Sequence, residues 1–303
     1  MLDELIEIFR KNFPFIVRQD EKVIEILSNK DNKVFVRRDE NGKLIAASVV
    51  NKNTILMLCV DSKFRNRGIG SSLLDESEKF IAKNSYKEIS VGVGFDYLMP
   101  GVPTNTKVYN EELEKDNVYL NVDNTACEFF KKRGYTHSWG ECNCFDMRLD
   151  LTNFNKCGYS VGSTIDGITY TWATLNDIPK IIECTDDACE EFSKYYKDKK
   201  LYDIKGSQRV LIAKNGEEIV GTLIVSIETE EVGLGSVGCT TVKTSYRGRH
   251  IGVNLVIVGT KYLKDIGLPN AFLGYTYSGL DHMYGYSGYQ ICIYYLMAKK
   301  DIK

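Results

Sequence analysis

The sequence predicts an α/β fold with mixed α+β sheets, built twice along one chain. Three observations predict it. A strand-to-helix turn of the form Arg-x-x-(Gly or His)-Ile-Gly occurs at residues 65–70 (RNRGIG) and again at 247–252 (RGRHIG), the leading arginines standing 182 residues apart (247 − 65). Each turn follows a hairpin and a third strand, and each is followed by helix, strand, helix and strand. Finally, 303 residues fit two domains of about 150 each, and a hydrophobic content of 43% lets both bury a core.

The elements follow in order. Leu2, Leu5, Ile6 and Phe9 recur at helical spacing, so a helix opens the chain and ends before Pro14. Residues 21–27 form a second short helix. The runs 33–38 (KVFVRR) and 43–50 (KLIAASVV) flank Asn41-Gly42, a hairpin signal because both turn residues tolerate positive φ. Residues 54–60 (TILMLCV) are nearly all apolar and read as a central strand. A helix over 69–82 buries Ile69, Leu73, Leu74, Phe80 and Ile81, and 88–95 is a strand. The segment 100–103 (PGVP) closes that strand's exit, and the polar stretch on to 120 reads as an insertion loop. A helix over 124–132 stops at Arg133-Gly134, and 135–151 gives one or two strands.

Turn residues without a clear period over 151–167 place a boundary there, giving domains 1–152 and 166–303. Then the series repeats: strand 168–175, a helix capped by Asn176-Asp177 with Pro179 in its first turn, hairpin strands 208–214 and 219–227 about Asn215-Gly216, and strand 235–242. The second basic turn leads a helix to 266, followed by strand 270–277, a short helix 280–286 and a last strand 291–299.

Composition narrows the function. A net charge of −2 and a pI near 6.0 lack the basic footprint of a nucleic-acid binder. The nine cysteines are scattered without a Cys-x-x-Cys pair, and Cys142-x-Cys144 with only His137, His250 and His282 makes no zinc set. They read as reduced, mostly buried thiols, which implies a reducing cytoplasm. The N-terminus lacks the basic and apolar regions of a signal peptide, and no apolar run is long enough to span a bilayer. The acidic runs 111–116 and 185–191 read as solvated faces.

The chemistry lies in the two turns. Glycine at a helix start lets backbone approach a ligand, and the first helical N–H groups have no internal partners. With the helix dipole and arginines they make an anion site suited to a pyrophosphate. Neither a Gly-x-Gly-x-x-Gly dinucleotide fingerprint in a βαβ unit nor a Walker Gly-Lys-Ser/Thr is present. Arg-x-x-Gly-x-Gly after a hairpin and a third strand instead resembles the GNAT acyl-CoA N-acyltransferase family, and the element order extends the resemblance over nearly the whole chain as a tandem pair.

The resemblance implies two acetyl-CoA sites and no metal. Leu58, Cys59, Val60, Arg65, Asn66, Arg67, Gly68, Ile69 and Gly70 form the first. Thr240, Thr241, Val242, Arg247, Gly248, Arg249, His250, Ile251 and Gly252 form the second. In each, the third strand is expected to splay from its neighbour and pair with the pantetheine arm. Two departures stand out: His250 replaces a usual glycine, and the first half lacks an opening strand. The family often uses a tyrosine, a few residues before a Gly-aromatic pair, to protonate the leaving thiolate. In the first half Phe130 holds that place, five before Tyr135; in the second it is Tyr284, five before Tyr289. The second half is therefore the expected catalytic one and the first the degenerate one. No carboxylate stands on 237–243, so Asp281, three before Tyr284, is the base candidate, with capping of its short helix as the other reading. His282 is a rival base, and core packing is the other reading of Tyr284.

Tyr275, Tyr277, Tyr286 and Ser278 crowd this region. With Tyr97, they suit a hydroxyl-rich sugar or are simple packing. Within the tandem GNAT enzymes, which include mycothiol synthases, residues 280–289 (LDHMYGYSGY) and the 97–103 loop look similar to the clostridial glucosamine/glucosaminide branch, and a Lys-, Asn- and Ile-rich composition suits a low-GC bacterial source. That implies N-acetylation of a small amine, an amino sugar from cell-wall turnover, by direct transfer in a ternary complex, without nucleic-acid or membrane partners. Another small amine, such as an aminoglycoside or amino acid, and a non-catalytic acyl-CoA-binding module are the alternatives.

Overall fold

A computed structural model describes residues 1–93, 97–108, 122–156, 158–227 and 233–302. Contacts gather the chain into two compact units, Met1–Phe145 with Cys292–Lys303, and Asp146–Ile291.

In the first unit, helix α1 (Leu2–Asn12) buries Leu5, Ile8 and Phe9 along one stripe, and α2 (Asp20–Leu27) buries Val23, Ile26 and Leu27. Strands β1 (Lys33–Arg38) and β2 (Leu44–Asn51) form the expected hairpin, its turn closed by Gly42 at φ 79°. Strand β3 (Thr54–Val60) lies antiparallel to β2. Helix α3 (Ile69–Lys83) packs Leu73, Leu74 and Ile81 inward. Strand β4 (Glu88–Val91) is parallel to β3. Residues 94–95 of that expected strand, 109–120 of the expected insertion loop and the acidic run 111–116 lie outside the described residues.

The Pro-rich segment expected to be a loop contains strand β5 (Val102–Thr104), paired with residues 294–296. An edge position tolerates Pro103, which has no N–H to give. Helix α4 (Thr125–Lys131) and strands β6 (Thr136–His137) and β7 (Cys144–Asp150) complete this stretch.

The second unit repeats the series with two short strands ahead of its first helix. Strands β8 (Thr164–Ile165) and β9 (Ile168–Trp172) open it. A capping box at Thr174 and Asp177, with a proline in the first turn, starts helix α5 (Ile178–Tyr196). Strands β10 (Gln208–Asn215), β11 (Glu218–Ser226) and β12 (Leu234–Val242) lead to helix α6 (Ile251–Asp265), strand β13 (Asn270–Tyr277) and the single turn of α7 (Asp281–Gly285). Within this unit the strand order is β7-β13-β12-β11-β10-β9-β8. Here β10 has β9 beside it, whereas β1, its counterpart, is a sheet edge. The missing opening strand noted in the first half is a real difference between the units.

The single last strand expected over 291–299 is two, β14 (Gln290–Leu296) and β15 (Ala298–Asp301). Met297 makes the corner. Its N–H donates to His137 Nδ1 at 3.0 Å, and its carbonyl accepts from the Ser138 N–H and hydroxyl, each at 2.9 Å. Strand β15 then enters the first unit's sheet, whose order is β1-β2-β3-β4-β15-β6, antiparallel to both neighbours. There Ala298 joins the core of Leu74 and Ile81, and Lys300 donates to Glu78 of α3 at 2.9 Å. Conversely, residues 146–150 of β7 count in the second unit. Each unit therefore completes its sheet with a strand encoded in the other half.

One pairing detail positions the sites. Among the described residues, strand β3 meets β4 only at Thr54–Ser90 and Ile55–Val91. Strand β12 meets β13 only at Leu234–Asn270 and Gly235–Ala271. In both units the parallel pair holds at the start of the third strand and parts before that strand reaches its turn.

Candidate active site

The two basic turns are built alike. In each, a short 3-10 segment follows the third strand, Ser62–Phe64 or Thr244–Tyr246, and a left-handed residue leads into the helix. Two positions per turn are left-handed: Asn66 (φ 61°) and Gly68 (φ 79°) in the first, Gly248 (φ 78°) and His250 (φ 57°) in the second. The sequence places glycine at the second of these positions in one copy and at the first in the other. Asn and His are among the side chains that tolerate this region best, so the same backbone path survives the exchange. Placing a side chain at such a φ costs roughly 1–2 kcal/mol, while glycine gives back roughly 0.5–1 kcal/mol in chain entropy. The variant His250→Gly is expected to keep the fold and raise the thermal midpoint by about 1–3 °C, with acetyl-CoA affinity held or improved; calorimetry and titration check both, and a lowered midpoint contradicts the strain argument.

The arginines are braced within their own units. Arg65 donates through Nε to the Val60 carbonyl and through a terminal nitrogen to Asn12 Oδ1, both at 3.0 Å. Arg247 donates to the Ala188 carbonyl at 3.1 Å. Arg67 stacks on Phe64 at 5.4 Å and Arg249 on Tyr246 at 5.0 Å, so each presents its guanidinium on an aromatic face beside the helix start. The residue before the 3-10 segment is Asp61 in one unit, paired with Lys11 at 2.5 Å, and Lys243 in the other, paired with Glu183 and Glu218 at 2.6 and 2.9 Å. The ion pair tying the turn to the preceding helix has reversed polarity. Lys11 holds the Asp61 carboxyl below its usual range, and the two glutamates push Lys243 upward.

The third strands differ. In β12 the ladder slips: Thr222 faces Thr241, but Ile224 faces Gly238, leaving one extra residue on β12. Cys239 sits in this bulge at φ 50°, and its carbonyl accepts the Tyr196 hydroxyl at 2.6 Å. Tyr196 is fully buried, and its own carbonyl accepts from Tyr202 at 2.7 Å. Sequence reasoning missed this clamp, because nothing in a local pattern ties the end of α5 to a strand 43 residues later. Thr241 is buried against Thr222, hydroxyl to hydroxyl at 2.6 Å, and Val242 pairs with Gly221. In β3 the slip falls earlier, between Val49 and Val50 of its partner, and Leu58, Cys59 and Val60 run in register.

Tyr284 lies against the bulge. It is 5% exposed, and burial pushes its phenol up to about 12, with Cys239 and Tyr277 also nearby. The Thr240 hydroxyl lies beside the phenol, yet Thr240 Oγ1 is buried without a hydrogen bond of sound geometry. The two are neighbours rather than a bonded pair. Tyr284 stacks edge-on to Tyr289 at 6.1 Å, as Phe130 does to Tyr135 at 5.1 Å, so the positions match and only the hydroxyl differs. Asp281 accepts the Gly279 N–H at 2.9 Å and is half-buried one turn before Tyr284. His282 is exposed.

In the first unit a cavity of about 510 Å³ lies along Leu58, Cys59, Val60, Arg65, Asn66, Gly68 and Gly70, walled by Phe129 and Phe130. Arg133 stacks on Phe129 at 3.7 Å and donates to Ser71 at 2.5 Å. Arg67 and Ile69 belong to the same turn. The remaining candidates divide between the units. Tyr97 of the first stacks under Arg18 at 4.4 Å. Tyr275 and Tyr277 stand on β13 of the second, where Tyr275 donates its N–H to the buried Asp146 at 2.8 Å. Among the described residues no cluster of three or more His, Cys, Asp or Glu is placed to hold a metal ion, the cysteines are free thiols, and no helix is long and apolar enough to cross a membrane.

Comparison with known proteins covers both units. Residues 30–137 match an acetyltransferase (GNAT) domain, and residues 176–284 match the acetyltransferase (GNAT) family. Together these matches span more than two thirds of the chain. No curated protein matches it in sequence. Among solved structures, it resembles the GCN5-related glucosamine N-acetyltransferase region of a fungal multi-domain GH3 β-N-acetylglucosaminidase, with TM-score 0.70, 18% identity and 98% of this chain covered. The chain spans 36% of that fungal protein's length. A tandem GNAT protein from the clavulanic acid biosynthesis pathway has TM-score 0.65, 14% identity and coverage of 99% of this chain and 94% of its own. A GCN5-related N-acetyltransferase of Sphaerobacter thermophilus has TM-score 0.63, 17% identity and coverage of 93% and 85%.

Proposed function

The chain belongs to the GNAT acetyltransferase family as a tandem pair, and from that premise we propose that its second unit transfers the acetyl group of acetyl-CoA to the amine of a small molecule, an amino sugar such as glucosamine. One observation carries the reading: the buried Tyr284 stands at the bulge of the strand that parts from its neighbour and runs into a basic helix-start turn. The parted stretch of β12, with Thr240, Thr241 and Val242, offers backbone to an extended pantetheine arm. The turn from Arg247 to Gly252 offers N–H groups and guanidinium to the pyrophosphate.

In the proposed reaction the amine nitrogen attacks the thioester carbonyl carbon directly. A C–N bond forms and the C–S bond breaks. The amine proton passes to Asp281, and the departing thiolate takes a proton from Tyr284, which recovers it from solvent. Backbone amides of the bulged strand stabilise the carbonyl oxygen as it gains charge, with Tyr196 fixing the direction of the Cys239 peptide. The first unit is read as an acyl-CoA-binding module without chemistry, since Phe130 puts an aromatic ring but no proton donor beside its cavity.

An assay of free thiol release from acetyl-CoA with a panel of amines tests the reading. Turnover with glucosamine or glucosaminide oligomers above that with simple amines and aminoglycosides is expected. Turnover confined to another amine class sinks the sugar assignment, and acetyl-CoA binding without turnover of any amine sinks the catalytic one.

A further inference from the structure

The cavity of about 510 Å³ in the first unit has two kinds of wall. One is the basic turn, where Arg65 and Arg133 outweigh Asp123 among the charged lining residues, which suits an anionic carrier. The other is hydrocarbon, made by Phe13, Phe15, Leu58, Pro103 and Phe130. Phe13 is held edge-on to Phe15 at 6.3 Å and rests on the fully buried Phe9 at 5.5 Å, so the core beneath α1 braces this wall. On β3 every residue is buried except Leu58, which opens on the cavity. The pyrophosphate and pantetheine of a CoA carrier engage the turn and the β3 backbone, and neither needs a wall of this kind.

Two of these side chains replace hydroxyl-bearing residues of the second unit. Leu58 and Thr240 each stand seven residues before the leading arginine of their turn. Phe130 and Tyr284 each pack edge-on against the aromatic residue five places later. The side chains beside the bulge of β12 are therefore polar, and their counterparts in the first unit are hydrocarbon. The backbone differs too. Strand β3 carries no slip here, with Ala47 opposite Cys59 and Ser48 opposite Leu58, so Leu58 holds its direction as part of a regular ladder. Cys59 also lines the cavity, but burial pushes its thiol up to about 12, so at neutral pH it stays protonated and does not attack a thioester.

We propose that the first unit selects CoA thioesters whose acyl chain is longer than acetyl, with Leu58 and Phe130 seating the added carbons. The inference rests on the reading of this unit as an acyl-CoA-binding module. An acetyl group ends at one methyl and leaves the hydrocarbon wall facing water. A butyryl or hexanoyl chain covers that wall, at roughly fourfold in affinity for each methylene buried. With no phenol, no bulged strand and no thiolate beside it, the thioester is held and not turned over. The two units thus take different members of one ligand class, acetyl for transfer in the second and a longer chain for retention in the first.

Calorimetric titration of the full-length chain with CoA, acetyl-CoA, butyryl-CoA and hexanoyl-CoA tests this, in the variant Gly252→Asp. The new carboxylate falls in the first turn of α6, where it suits the helix and repels a pyrophosphate, so the binding that remains is the first unit's. Butyryl-CoA is expected to bind at least fivefold more tightly than acetyl-CoA, and hexanoyl-CoA no more weakly than butyryl-CoA. A butyryl preference below twofold overturns the proposal while the acyl-CoA-binding reading stands; no binding of any of the four overturns both. Adding Leu58→Thr, whose side chain suits a strand, is expected to cut the butyryl preference to twofold or less, and an unchanged preference overturns the proposal. Should Gly252→Asp misfold, the Leu58 methyl resonances of the wild-type chain report the same titrations at the first unit alone, and the same ratios decide.

Discussion

Replacing Tyr284 with phenylalanine is expected to lower kcat about a hundredfold or more while leaving the KM for acetyl-CoA within about twofold, the signature of a lost general acid rather than lost binding. The substitution removes one oxygen. The ring keeps its edge-on packing with Tyr289, and no well-formed hydrogen bond to Thr240 is broken, so the thermal midpoint is expected to stay within a degree or two. Burial pushes the phenol up to about 12, so the group holds its proton throughout neutral and mildly alkaline conditions. The wild-type rate therefore carries no descending limb from this residue between about pH 8 and 10. A raised folded-state value means the folded protein keeps the proton after the unfolded chain has lost it near pH 10. The matching loss of stability falls between about pH 10 and 12. Steady-state kinetics across this range check the assignment. An undiminished kcat in Tyr284→Phe sinks it, and a descending limb near pH 9 that disappears in the variant sinks the burial argument.

The second large effect concerns β15. A chain stopped after Met297 is expected to lose the cooperative unfolding of the first unit. Strand β15 is the hydrogen-bonded link between β4 and β6, and it brings the Lys300–Glu78 pair and the buried Ala298. Ala298→Asp makes the same point without truncation. It places a carboxyl among Leu74, Ile81 and Leu296 with no partner, at a cost of about 3 kcal/mol or more. Calorimetry and limited proteolysis are expected to show the first unit opening in both proteins. A native-like first unit in both would mean that β4 and β6 hold without the strand between them.

The duplicated turn, hairpins and helices were legible in the sequence because each is local: periodicity, Asn-Gly dipeptides and the glycine turn all act within a few residues. Strand β3 was placed to the residue for this reason. What escaped was non-local. Nothing near Pro103 signals a partner at Tyr295, and nothing in 291–299 marks Met297 as a corner, since the corner is held by His137 and Ser138. At the candidate site, both turns were readable from spacing, and the Tyr284 position followed from the family resemblance. The Cys239 bulge was not readable, because its left-handed carbonyl is held by Tyr196 at the end of another helix.

The exchanged strands also set an order on biogenesis. The first unit's opening segment ends at Phe145, and its remaining segment starts at Cys292, 147 residues later (292 − 145). At translation rates of about 5–20 residues per second, roughly 7–30 s pass between the two. Through that interval β4 and β6 lack the strand that joins them, and their unpaired edges are open to other chains. Slow synthesis across 146–291 would lengthen that exposure. The nascent first half is thus a natural client for a chaperone on the ribosome, while the second half, contiguous from Asp146 to Ile291, can fold as it emerges.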